Sequence, residues 1–328
     1  MAQVQSSFSS MRQVALLYNP DSGRRGNKRQ RALESALQVL RTAGVIAELV
    51  PTHSREEAGE KARQAIQSGC DTIFACGGDG TIHNIIQVLA KTQVALGLLP
   101  MGTANALAHD LRIPVDPARA ARIALEGVTR RVALGHVSFK DLAGSASSRY
   151  FIITAGVGVD AHLFYKLLAG TKQRMGMAAY YVKAWNLWLT YRMRRFVAEY
   201  VETGSDATQR CEVTELMSVR IRNFGGVLRE LAPGASLERN DMRVVFCHTG
   251  AKLAYLAYVV RGLLRGGWSV RGIELADCTR VLCQYRNDPA DGQRNERIYV
   301  EADGELIGTL PVEMTIIPDA LTIVAPRA

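Results

Sequence analysis

Residues 72–89 read TIFACGGDGTIHNIIQVL, and this stretch decides the fold. The apolar run at 72–76 predicts a buried strand, the glycine cluster at 77–80 breaks it, and apolar residues at helical spacing follow at once. A strand that passes through a glycine turn into a helix lets main-chain N–H groups approach an anion without interference from Cβ atoms. The stretch therefore predicts a phosphate-binding turn in an α/β domain.

Strand and helix patterns alternate on both sides of that stretch, from about Val14 to Glu126. Hydrophobic periodicity predicts strands at 14–18, 45–50, 72–76 and 95–99, and helices at 27–42 and 55–68. Asp116 is predicted to cap a further helix whose first residue is Pro117. Because such alternation is typical of a parallel sheet with helices on both faces, we predict an α/β nucleotide-binding domain over residues 1–130.

The pattern changes near Arg131. Strand-like runs predominate from there, among them 212–222 and 311–317, with two helical exceptions near 175–195 and 251–265. We therefore predict a second, β-rich domain over residues 131–318, followed by a short C-terminal segment.

Composition limits the class of protein. The 328 residues suit about two domains. The net charge of +9 favours anionic partners such as nucleotide phosphates, acidic lipid headgroups or nucleic acid. The six cysteines form no CxxC pair, and five of them lie among apolar, strand-like or helical residues, which predicts buried thiols in a reducing cytoplasm. Residues 1–12 are polar and no apolar window reaches ~18 residues, so we expect a cytoplasmic protein that is at most peripheral to a membrane.

Two more turns follow predicted strands. The segment PMGTAN at 100–105 follows the strand at 95–99, and NPDSG at 19–23 follows the strand at 14–18. Ligands bind at the carboxyl ends of parallel strands in open α/β sheets, so the turns are predicted to line one crevice. Thr103 and Asn105 offer hydrogen bonds to phosphate or ribose. Arg24, Arg25, Lys28 and Arg29 form a basic run that is either a phosphate contact or a solvated face.

The glycine turn at 77–80 is neither a Walker loop nor a dinucleotide fingerprint. GxxxxGK[ST] is absent and no GxGxxG opens the first βαβ unit, which disfavours an oxidoreductase. Asp79 would lie beside bound phosphates, where it can hold a magnesium-bound water or contact an attacking hydroxyl. The alternative is a plain glycine turn with a helix-capping aspartate.

Taken in order, the turns at 19–23, 77–81 and 102–105 resemble those of the diacylglycerol kinase catalytic family, which includes bacterial lipid kinases and sphingosine and ceramide kinases. Further matches are AGVGVDA at 155–161, Gly225-Gly226 with Pro233 and Ala235, and EADGE at 301–305. GGDGT also occurs in NAD kinases, so the C-terminal segments favour the lipid-kinase branch. The resemblance implies an NAD kinase-like Rossmann domain, to which residues 319–328 return, and a β-sandwich lipid-binding domain.

The resemblance also implies that ATP binds between the two domains, with its phosphates against 77–81 and its nucleoside near the other turns. The implied nucleotide-binding residues are Asn19, Ser22, Gly23, Thr52, Gly77, Gly78, Gly80, Thr81, Gly102, Thr103 and Asn105. Phosphoryl transfer is mostly positioning and charge neutralisation, so the chemistry requires few other groups.

Two carboxylates compete for the role of catalytic base. Family precedent places the base on the Asp of the closing DGE, here Asp303, with Glu305 nearby. The sphingosine kinase branch instead points to the Asp of the glycine turn, here Asp79. We predict that Asp303 is the base and that Asp79 organises a magnesium–water network. The alternative for the DGE segment is a simple turn between two strands.

A second, structural magnesium is implied in the β-rich domain. The resemblance places its ligands at Glu238, Asp241 and the carbonyl of Arg243. Met242 stands where the family usually has a glycine.

Three positions that are usually acidic in the family are neutral here. Asn84 follows the glycine turn, Ala106 follows the GTxN segment, and Ala133 lies at the entry to the second domain. They favour either a differently built metal network or a loss of activity. A catalytically silent lipid- or nucleotide-binding regulator with the same fold is therefore one alternative function, and an NAD kinase-like enzyme with a soluble substrate is another.

The two predicted helices of the β-rich domain carry Trp, Tyr and Arg side chains that suit a membrane interface. An ordinary amphipathic helix packed on a sheet has the same composition. The absence of a nucleic-acid module leads us to expect no nucleic-acid partner. We predict an ATP- and Mg²⁺-dependent lipid kinase that phosphorylates diacylglycerol or a related lipid at the inner face of the membrane. The sequence leaves a homodimer open.

Overall fold

The computed structural model describes residues 7–8, 11–20, 26–158, 193–224, 230–264, 268–286 and 297–327. The chain divides into two compact units. The first comprises residues 1–134, 223–226 and 317–328, and the second comprises residues 135–222 and 227–316. The C-terminal end of the chain therefore completes the first unit.

The first unit is built from strands and helices in alternation. Its strands are β1 (Ser7–Phe8), β2 (Gln13–Tyr18), β3 (Ile46–Pro51), β4 (Thr72–Gly77), β5 (Ala95–Pro100) and the beginning of β6 (Val128–Lys140). Its helices are α1 (Gly26–Thr42), α2 (Arg55–Gln67), α3 (Asp79–Leu89), α4 (Ala106–Asp110) and α5 (Pro117–Glu126). The α/β prediction for this part of the chain is confirmed.

In the first unit the chain adds β3 on one side of β2 and then β4 on the other side. The hydrogen-bonded order is β5–β4–β2–β3 with all pairs parallel, and the end of β15 (Glu305–Ala325) adds next to β5. Successive connections therefore leave β2 in opposite directions, while α1 packs against α5 and α2 packs against α3. Such a reversal opens a crevice beyond the carboxyl ends of the strands that flank it.

Local sequence explains these elements. Strands β4 and β5 are buried along their whole length, as expected for central parallel strands with continuous apolar runs. The edge strand β3 alternates and exposes Ile46. At the start of α5, the Asp116 carboxylate accepts a hydrogen bond from the Arg119 N–H at 2.8 Å, and Pro117 is the first helical residue. The predicted cap is confirmed.

The second unit is mainly antiparallel sheet. Its strands, besides parts of β6 and β15, are β7 (Ala146–Phe151), β8 (Thr154–Val157), β9 (Phe196–Glu202), β10 (Thr208–Val213), β11 (Glu215–Val219), β12 (Met242–Cys247), β13 (Ile273–Gln284) and β14 (Tyr299–Ala302). They follow the order β10–β9–β13–β12–β11–β8–β14–β15, and β13 also pairs with β15, so part of the path closes on itself. One helix, α6 (Lys252–Leu264), lies among the described residues of this unit. The β-rich prediction is confirmed.

The core of the second unit consists of inward-facing strand residues. Fully buried aromatic side chains from β7, β9 and β12 pack together in it, namely Phe151, Phe196 and Phe246. Within the described part of the chain, no helix is long and apolar enough to cross a membrane.

Two predicted strands differ from the observed ones, and most of one predicted helix lies outside the described residues. The predicted strand at 212–222 is divided between the end of β10 and β11, because Thr214 interrupts it. The Thr214 hydroxyl donates to the carbonyls of Cys247, the last residue of β12, at 3.0 Å and Thr249 at 2.7 Å. The predicted strand at 311–317 is part of the 21-residue β15. The predicted helix at 175–195 lies outside the described residues up to 192, and residues 193–195 are not helical.

Candidate active site

Strand β4 ends at Gly77, Gly78 alone connects it to α3, and Asp79 is the first helical residue. A Cβ on Gly77 would lie 2.2 Å from the Thr81 Oγ1 atom, so only glycine lets the helix begin so close to the strand. Gly78 is the N-cap and has no side chain to occupy the helix end. The positive end of α3 is therefore presented at the carboxyl edge of the sheet.

The turn after β5 is held by Asn105. Its Oδ1 atom accepts a hydrogen bond from the Gly102 N–H at 2.8 Å, and its Nδ2 atom donates to the Gly102 carbonyl at 3.0 Å. Asn105 caps α4 in the left-handed conformation, with a φ of 50°. Asn105 is buried and serves the turn itself, whereas Thr103 is exposed.

The two turns touch through their main chains. A Cβ on Gly102 would lie 2.4 Å from the Cα atom of Gly78, so neither position has room for a larger residue. The Asp79 carboxylate also links the two turns, because it accepts hydrogen bonds from the N–H groups of Ala106 at 3.1 Å and Leu107 at 3.4 Å. The structure thus brings the predicted residues of both turns together.

Other predicted residues lie at the same edge of the sheet. Thr52 follows β3, is buried, and donates both its N–H and its hydroxyl to the Tyr18 carbonyl, at 2.8 and 3.1 Å. Asn19 follows β2 and is half-buried. Arg29 donates to the Cys76 carbonyl at 3.3 Å, which places a guanidinium beside the glycine turn, and burial lowers its pKa. The predicted residues Ser22 and Gly23, and the basic residues Arg24 and Arg25, lie outside the described residues.

The three residues that are neutral where the family is usually acidic, Asn84, Ala106 and Ala133, lie within the described structure. Asn84 donates its Nδ2–H to the Gly80 carbonyl at 2.8 Å, a bond that an ionised glutamate cannot make. The Ala106 N–H bonds to Asp79, and Ala133 is buried within β6. Asn84 therefore fixes the glycine turn through its side chain, whereas Ala106 contributes only its main-chain N–H.

The closing DGE segment forms a hairpin turn. Asp303 and Gly304 connect β14 to β15 with φ angles of 49° and 79°, as in the type I′ turns that Asp-Gly favours. Asp303 is buried, and its carboxylate accepts hydrogen bonds from the N–H groups of Ile152, Ile153 and Thr154, between 2.7 and 3.2 Å. The predicted base therefore holds the segment between β7 and β8.

Two further carboxylates flank this turn. Glu301 is buried and accepts hydrogen bonds from the Thr154 hydroxyl at 3.4 Å and the Gly304 N–H at 2.8 Å. Gly156 leaves it room, because a Cβ there would lie 3.0 Å from the Glu301 Oε1 atom. Glu305 is only partly buried. Of these carboxylates, Glu305 therefore has the best access to a ligand.

The residues predicted to bind a structural magnesium do not fit that ion. The two carboxylate oxygens of Asp241 accept hydrogen bonds from Arg239 at 2.6 and 2.7 Å, and one also accepts from the Thr203 hydroxyl at 3.0 Å. Glu238 is exposed, and Arg243, whose carbonyl is the third predicted ligand, lies within β12 between β11 and β13. No cluster of three or more His, Cys, Asp or Glu side chains suited to a metal occurs among the described residues. The guanidinium of Arg239 already binds the Asp241 carboxylate that the metal would require as a ligand.

An apolar cavity of about 200 Å³ lies within the second unit, between α6 and the strands β11 to β13. Its walls are Met217, Leu231, Val245, Cys247, Val259 and Ile273, together with Glu215, Tyr255 and Tyr258. Glu215 is buried and accepts a hydrogen bond from the Tyr255 hydroxyl at 3.1 Å. The cavity is thus mainly hydrocarbon with one carboxylate in its wall.

Sequence reasoning missed Glu301, Glu215 and the fully buried Arg220. Each lies among apolar residues of a strand-like segment, Glu215 and Arg220 at 212–222 and Glu301 before the DGE turn, and a charged residue in such a segment is a usable signal for a buried charge with a specific partner. The partners themselves are distant in sequence and give no local pattern.

Comparison with known proteins extends over both units. The sequence model of the diacylglycerol kinase catalytic domain matches residues 13–137. The diacylglycerol kinase of Staphylococcus epidermidis is 30% identical over 319 residues, covering 96% of this chain and 93% of that protein. That of Bacillus subtilis is 28% identical over 320 residues, covering 97% of each. A crystal structure of a diacylglycerol kinase from Bacillus anthracis has the same fold, with a TM-score of 0.71 at 16% identity over 97% of this chain and 98% of that chain.

The match to the catalytic domain includes both glycine turns and the strands that carry them. The full-length relatives extend the match through the β-rich unit, including the DGE hairpin. The resemblance inferred from the ordered motifs is confirmed. The chain belongs to the diacylglycerol kinase family and is a lipid kinase.

Proposed function

We propose that this lipid kinase transfers the γ-phosphoryl group of ATP to a hydroxyl of diacylglycerol or a closely related lipid, with Mg²⁺ bound to the ATP. The observation that carries the proposal is the main-chain contact between Gly78 and Gly102, with Asp79 hydrogen-bonded across it. The relatives named diacylglycerol kinase support a glycerolipid acceptor.

The phosphates of ATP are assigned to the positive end of α3. Glycines at 77, 78 and 102 let a polyphosphate approach the main chain, and the helix end attracts negative charge. The guanidinium of Arg29 adds positive charge beside the turn. The nucleoside is assigned to the ends of the neighbouring strands, next to Asn19 and Thr52.

Asp79 suits a position that faces a hydrated cation. A carboxylate has about four acceptor positions, so Asp79 can accept from Ala106 and Leu107 and still bond to a bound water or a metal. Magnesium that arrives with ATP would neutralise the phosphate oxygens and the charge that develops on them during transfer.

The acceptor side is assigned to Glu305 in place of Asp303. Three main-chain N–H groups already bond to the Asp303 carboxylate, which suits a residue that positions the segment 152–154. Glu305 is two residues further along the same hairpin and is more exposed. In this assignment Asp303 is a positioning residue and Glu305 receives the proton.

The phosphoryl transfer itself requires few protein groups. The lipid hydroxyl oxygen forms a bond to the γ-phosphorus while the bond from that phosphorus to the β,γ-bridging oxygen breaks, and ADP leaves. The hydroxyl proton passes to the Glu305 carboxylate. General base catalysis of this kind typically contributes a factor of about 10² to 10⁴.

The hydrocarbon of the lipid is assigned to the cavity beneath α6. Its walls are mainly Leu, Val, Ile and Met side chains, as expected for a site that removes an acyl chain from water. The Glu215 carboxylate and the Tyr255 hydroxyl are polar groups in that wall and suit the ester or hydroxyl region of a glycerolipid.

Access to a lipid in a bilayer is assigned to the outer face of α6. Leu253, Ala257, Val260 and Leu264 recur at helical spacing and are all exposed, Leu253 by 80% and Leu264 by 68%. The chain carries a net charge of +9, which complements an anionic membrane. We propose that this stripe, together with Trp268, contacts the inner face of the cell membrane from the cytoplasm.

The activity is tested with labelled ATP, MgCl₂ and diacylglycerol in mixed micelles. Wild type is expected to form a lipid phosphate, and Asp79→Asn and Glu305→Gln are each expected to lower kcat by about 10²-fold or more. Glu313→Gln is the control, because Glu313 lies on the same strand as Glu305 but makes an exposed ion pair with Arg280.

Other outcomes of that assay select the alternatives. ATP binding without turnover on any glycerolipid or sphingoid base would favour the catalytically silent regulator. Asn84 and Ala106, which are neutral where the family is usually acidic, would then account for the lost activity. Phosphorylation of NAD in the absence of lipid would show that the phosphoryl acceptor is a soluble nucleotide and not a lipid. Equal kcat values for wild type and both carboxylate variants would show that the site is elsewhere.

Membrane contact is tested by sedimentation with vesicles of phosphatidylglycerol and of phosphatidylcholine. The double variant Leu253→Ser/Leu264→Ser is expected to bind phosphatidylglycerol vesicles at least about tenfold more weakly, because two exposed leucines no longer enter the bilayer. Leu142→Ser is the control, since Leu142 is also exposed but lies in the hairpin loop between β6 and β7. Equal binding by all three proteins would refute the assigned contact.

A further inference from the structure

A buried arginine orders the irregular segment before β12. Arg220 follows β11 and is completely buried. Its Nη1 atom donates hydrogen bonds to the carbonyls of Arg239, at 2.8 Å, and Asp241, and its Nη2 atom donates to the Leu237 carbonyl at 3.5 Å. One guanidinium thus gathers three carbonyl oxygens from five consecutive residues, as a bound metal ion commonly does.

A second guanidinium bridges the carboxylates of the same segment. Arg239 binds both oxygens of Asp241, at 2.6 and 2.7 Å, and one oxygen of Asp277 at 2.8 Å. Arg243 binds the other oxygen of Asp277 at 3.0 Å. Burial alone would raise the pKa of Asp241, but its hydrogen bonds, chiefly from Arg239, outweigh burial and hold that pKa below its usual value.

The charges of this cluster disfavour a further cation. Three arginines and two aspartates bond to one another or to the segment, which leaves one positive charge in excess. A divalent ion would add two more positive charges at a partly buried place, where charges repel strongly. Of the oxygens predicted to bind it, both carboxylate oxygens of Asp241 already accept N–H groups of Arg239.

We propose that Arg220 and Arg239 take the place of a structural divalent cation in this chain, so that the second unit folds without Mg²⁺. The two guanidinium groups neutralise Asp241 and Asp277 and fix the path of the segment between Leu237 and Asp241. The described chain from 230 onward also includes Leu231, which lines the apolar cavity and accepts a hydrogen bond from the Tyr258 hydroxyl on α6. The arginines therefore anchor a segment that continues into a wall of the cavity.

The proposal is tested by thermal unfolding of the whole chain in EDTA and in millimolar MgCl₂, without ATP or lipid. Wild type is expected to have the same Tm in both. Arg239→Gln is expected to lower Tm by roughly 5 °C in EDTA, because two acidic side chains lose their shared partner. Magnesium is expected to restore part of that loss, since Asp241 and Asp277 then offer oxygen ligands. Arg280→Gln, which breaks an exposed pair, is the control and should show neither change.

A wild-type Tm that falls in EDTA and recovers with Mg²⁺ would overturn the proposal, and this measurement needs no variant to fold. An Arg239→Gln protein that folds but ignores Mg²⁺ would also count against it. The double variant Arg239→Gln/Asp241→Asn should lose the magnesium response, and a persisting response would locate the ion elsewhere and reject the assignment. Because no substrate is present, the outcome is independent of the lipid kinase assay.

Discussion

The two units use different means to hold their functional segments. In the first unit, the turns after β4 and β5 meet main chain against main chain, and the contact depends on Gly78 and Gly102 having no side chains. In the second unit, single buried charged side chains hold other segments. Asp303 bonds to three main-chain N–H groups that precede it by 149 to 151 residues, and Arg220 bonds to three carbonyls that follow it by 17 to 21 residues. The first arrangement is therefore sensitive to added atoms, and the second is sensitive to a lost charge.

The largest effect on stability is expected from Asp303→Asn. The variant removes the negative charge that three main-chain N–H groups share, and it sets an NH₂ group against the Ile152 N–H that bonds to the second carboxylate oxygen at 3.1 Å. We expect the free energy of unfolding, measured with urea, to fall by about 4 kcal/mol. The segment 152–154 should lose its hydrogen-exchange protection first.

Asp141→Asn is the matched control for that experiment. Asp141 also accepts hydrogen bonds from two main-chain N–H groups, those of Ala143 and Ser145, but in an exposed turn. Its loss should cost about 1 kcal/mol or less. If Asp303→Asn is as stable as wild type yet inactive, Asp303 is the base that the sequence predicts and Glu305 is not.

Gly102→Ala tests the other side of the comparison. The added methyl would lie 2.4 Å from the Gly78 Cα atom and 2.9 Å from the Asn105 Oδ1 atom, so the two turns must separate. We expect a loss of about 3 kcal/mol in unfolding free energy and a large fall in lipid kinase activity. Both are measured on the same preparation, by urea unfolding and by the micelle assay.

Gly59→Ala is the control within the same unit. Gly59 lies inside α2, where a Cβ would meet Val88 at an ordinary 3.6 Å. Alanine there should stabilise the protein by up to about 1 kcal/mol because it favours the helix. A neutral Gly102→Ala would show that the turns are not packed as tightly as the contact of Gly78 and Gly102 implies.

Buried ionisable groups should make the second unit sensitive to alkaline pH. Burial raises the pKa of Cys278 to about 12, so this thiol stays neutral in the folded protein at pH 9 while it ionises in the unfolded chain. A raised pKa of an acid means that stability is full below the unfolded pKa and is lost as pH rises above it. Each such thiol should therefore cost about 1 kcal/mol between pH 7 and pH 9.

The measurement is urea unfolding at several pH values in the presence of a reductant, for wild type and Cys278→Ala. The variant is expected to have a lower free energy of unfolding than wild type at pH 7, because a buried side chain is shortened. Between pH 7 and pH 9, however, its free energy of unfolding should fall less than that of wild type, by the contribution of one thiol. An unchanged slope would mean that Cys278 ionises equally well in the folded protein.

The features that follow from consecutive residues were predictable from the sequence. The strand at 72–77, the glycine turn and α3 are encoded in a single stretch, and the Asp116 cap lies next to its helix. The alternation of strands and helices was enough to predict the parallel sheet, because each element carries its own periodicity.

The features that depend on distant partners were not predictable. Asp303 bonds to N–H groups that precede it by about 150 residues, and nothing in the DGE segment reveals them. The expected structural magnesium shows a related difficulty: the spacing of Glu238 and Asp241 suited a metal, but Arg239 between them takes the carboxylate. Strand β15 was underestimated because Pro311 and Pro318 interrupt its pattern although the pairing continues past both.

The smallest effect is expected from Thr52→Val, and it sharpens the assignment of the nucleoside site. The Thr52 hydroxyl and N–H both donate to the Tyr18 carbonyl, so the variant leaves that carbonyl with one of its two bonds. We expect a loss below about 1 kcal/mol in unfolding free energy and little change in the KM for ATP. Thr92→Val is the control, because the Thr92 hydroxyl also donates to a main-chain carbonyl, that of Leu89 at 2.8 Å, but Thr92 precedes β5 and so lies at the opposite edge of the sheet. A tenfold rise in the KM for ATP at unchanged stability would instead mean that the Thr52 hydroxyl contacts the nucleotide, and that the first unit, too, depends on a buried side chain.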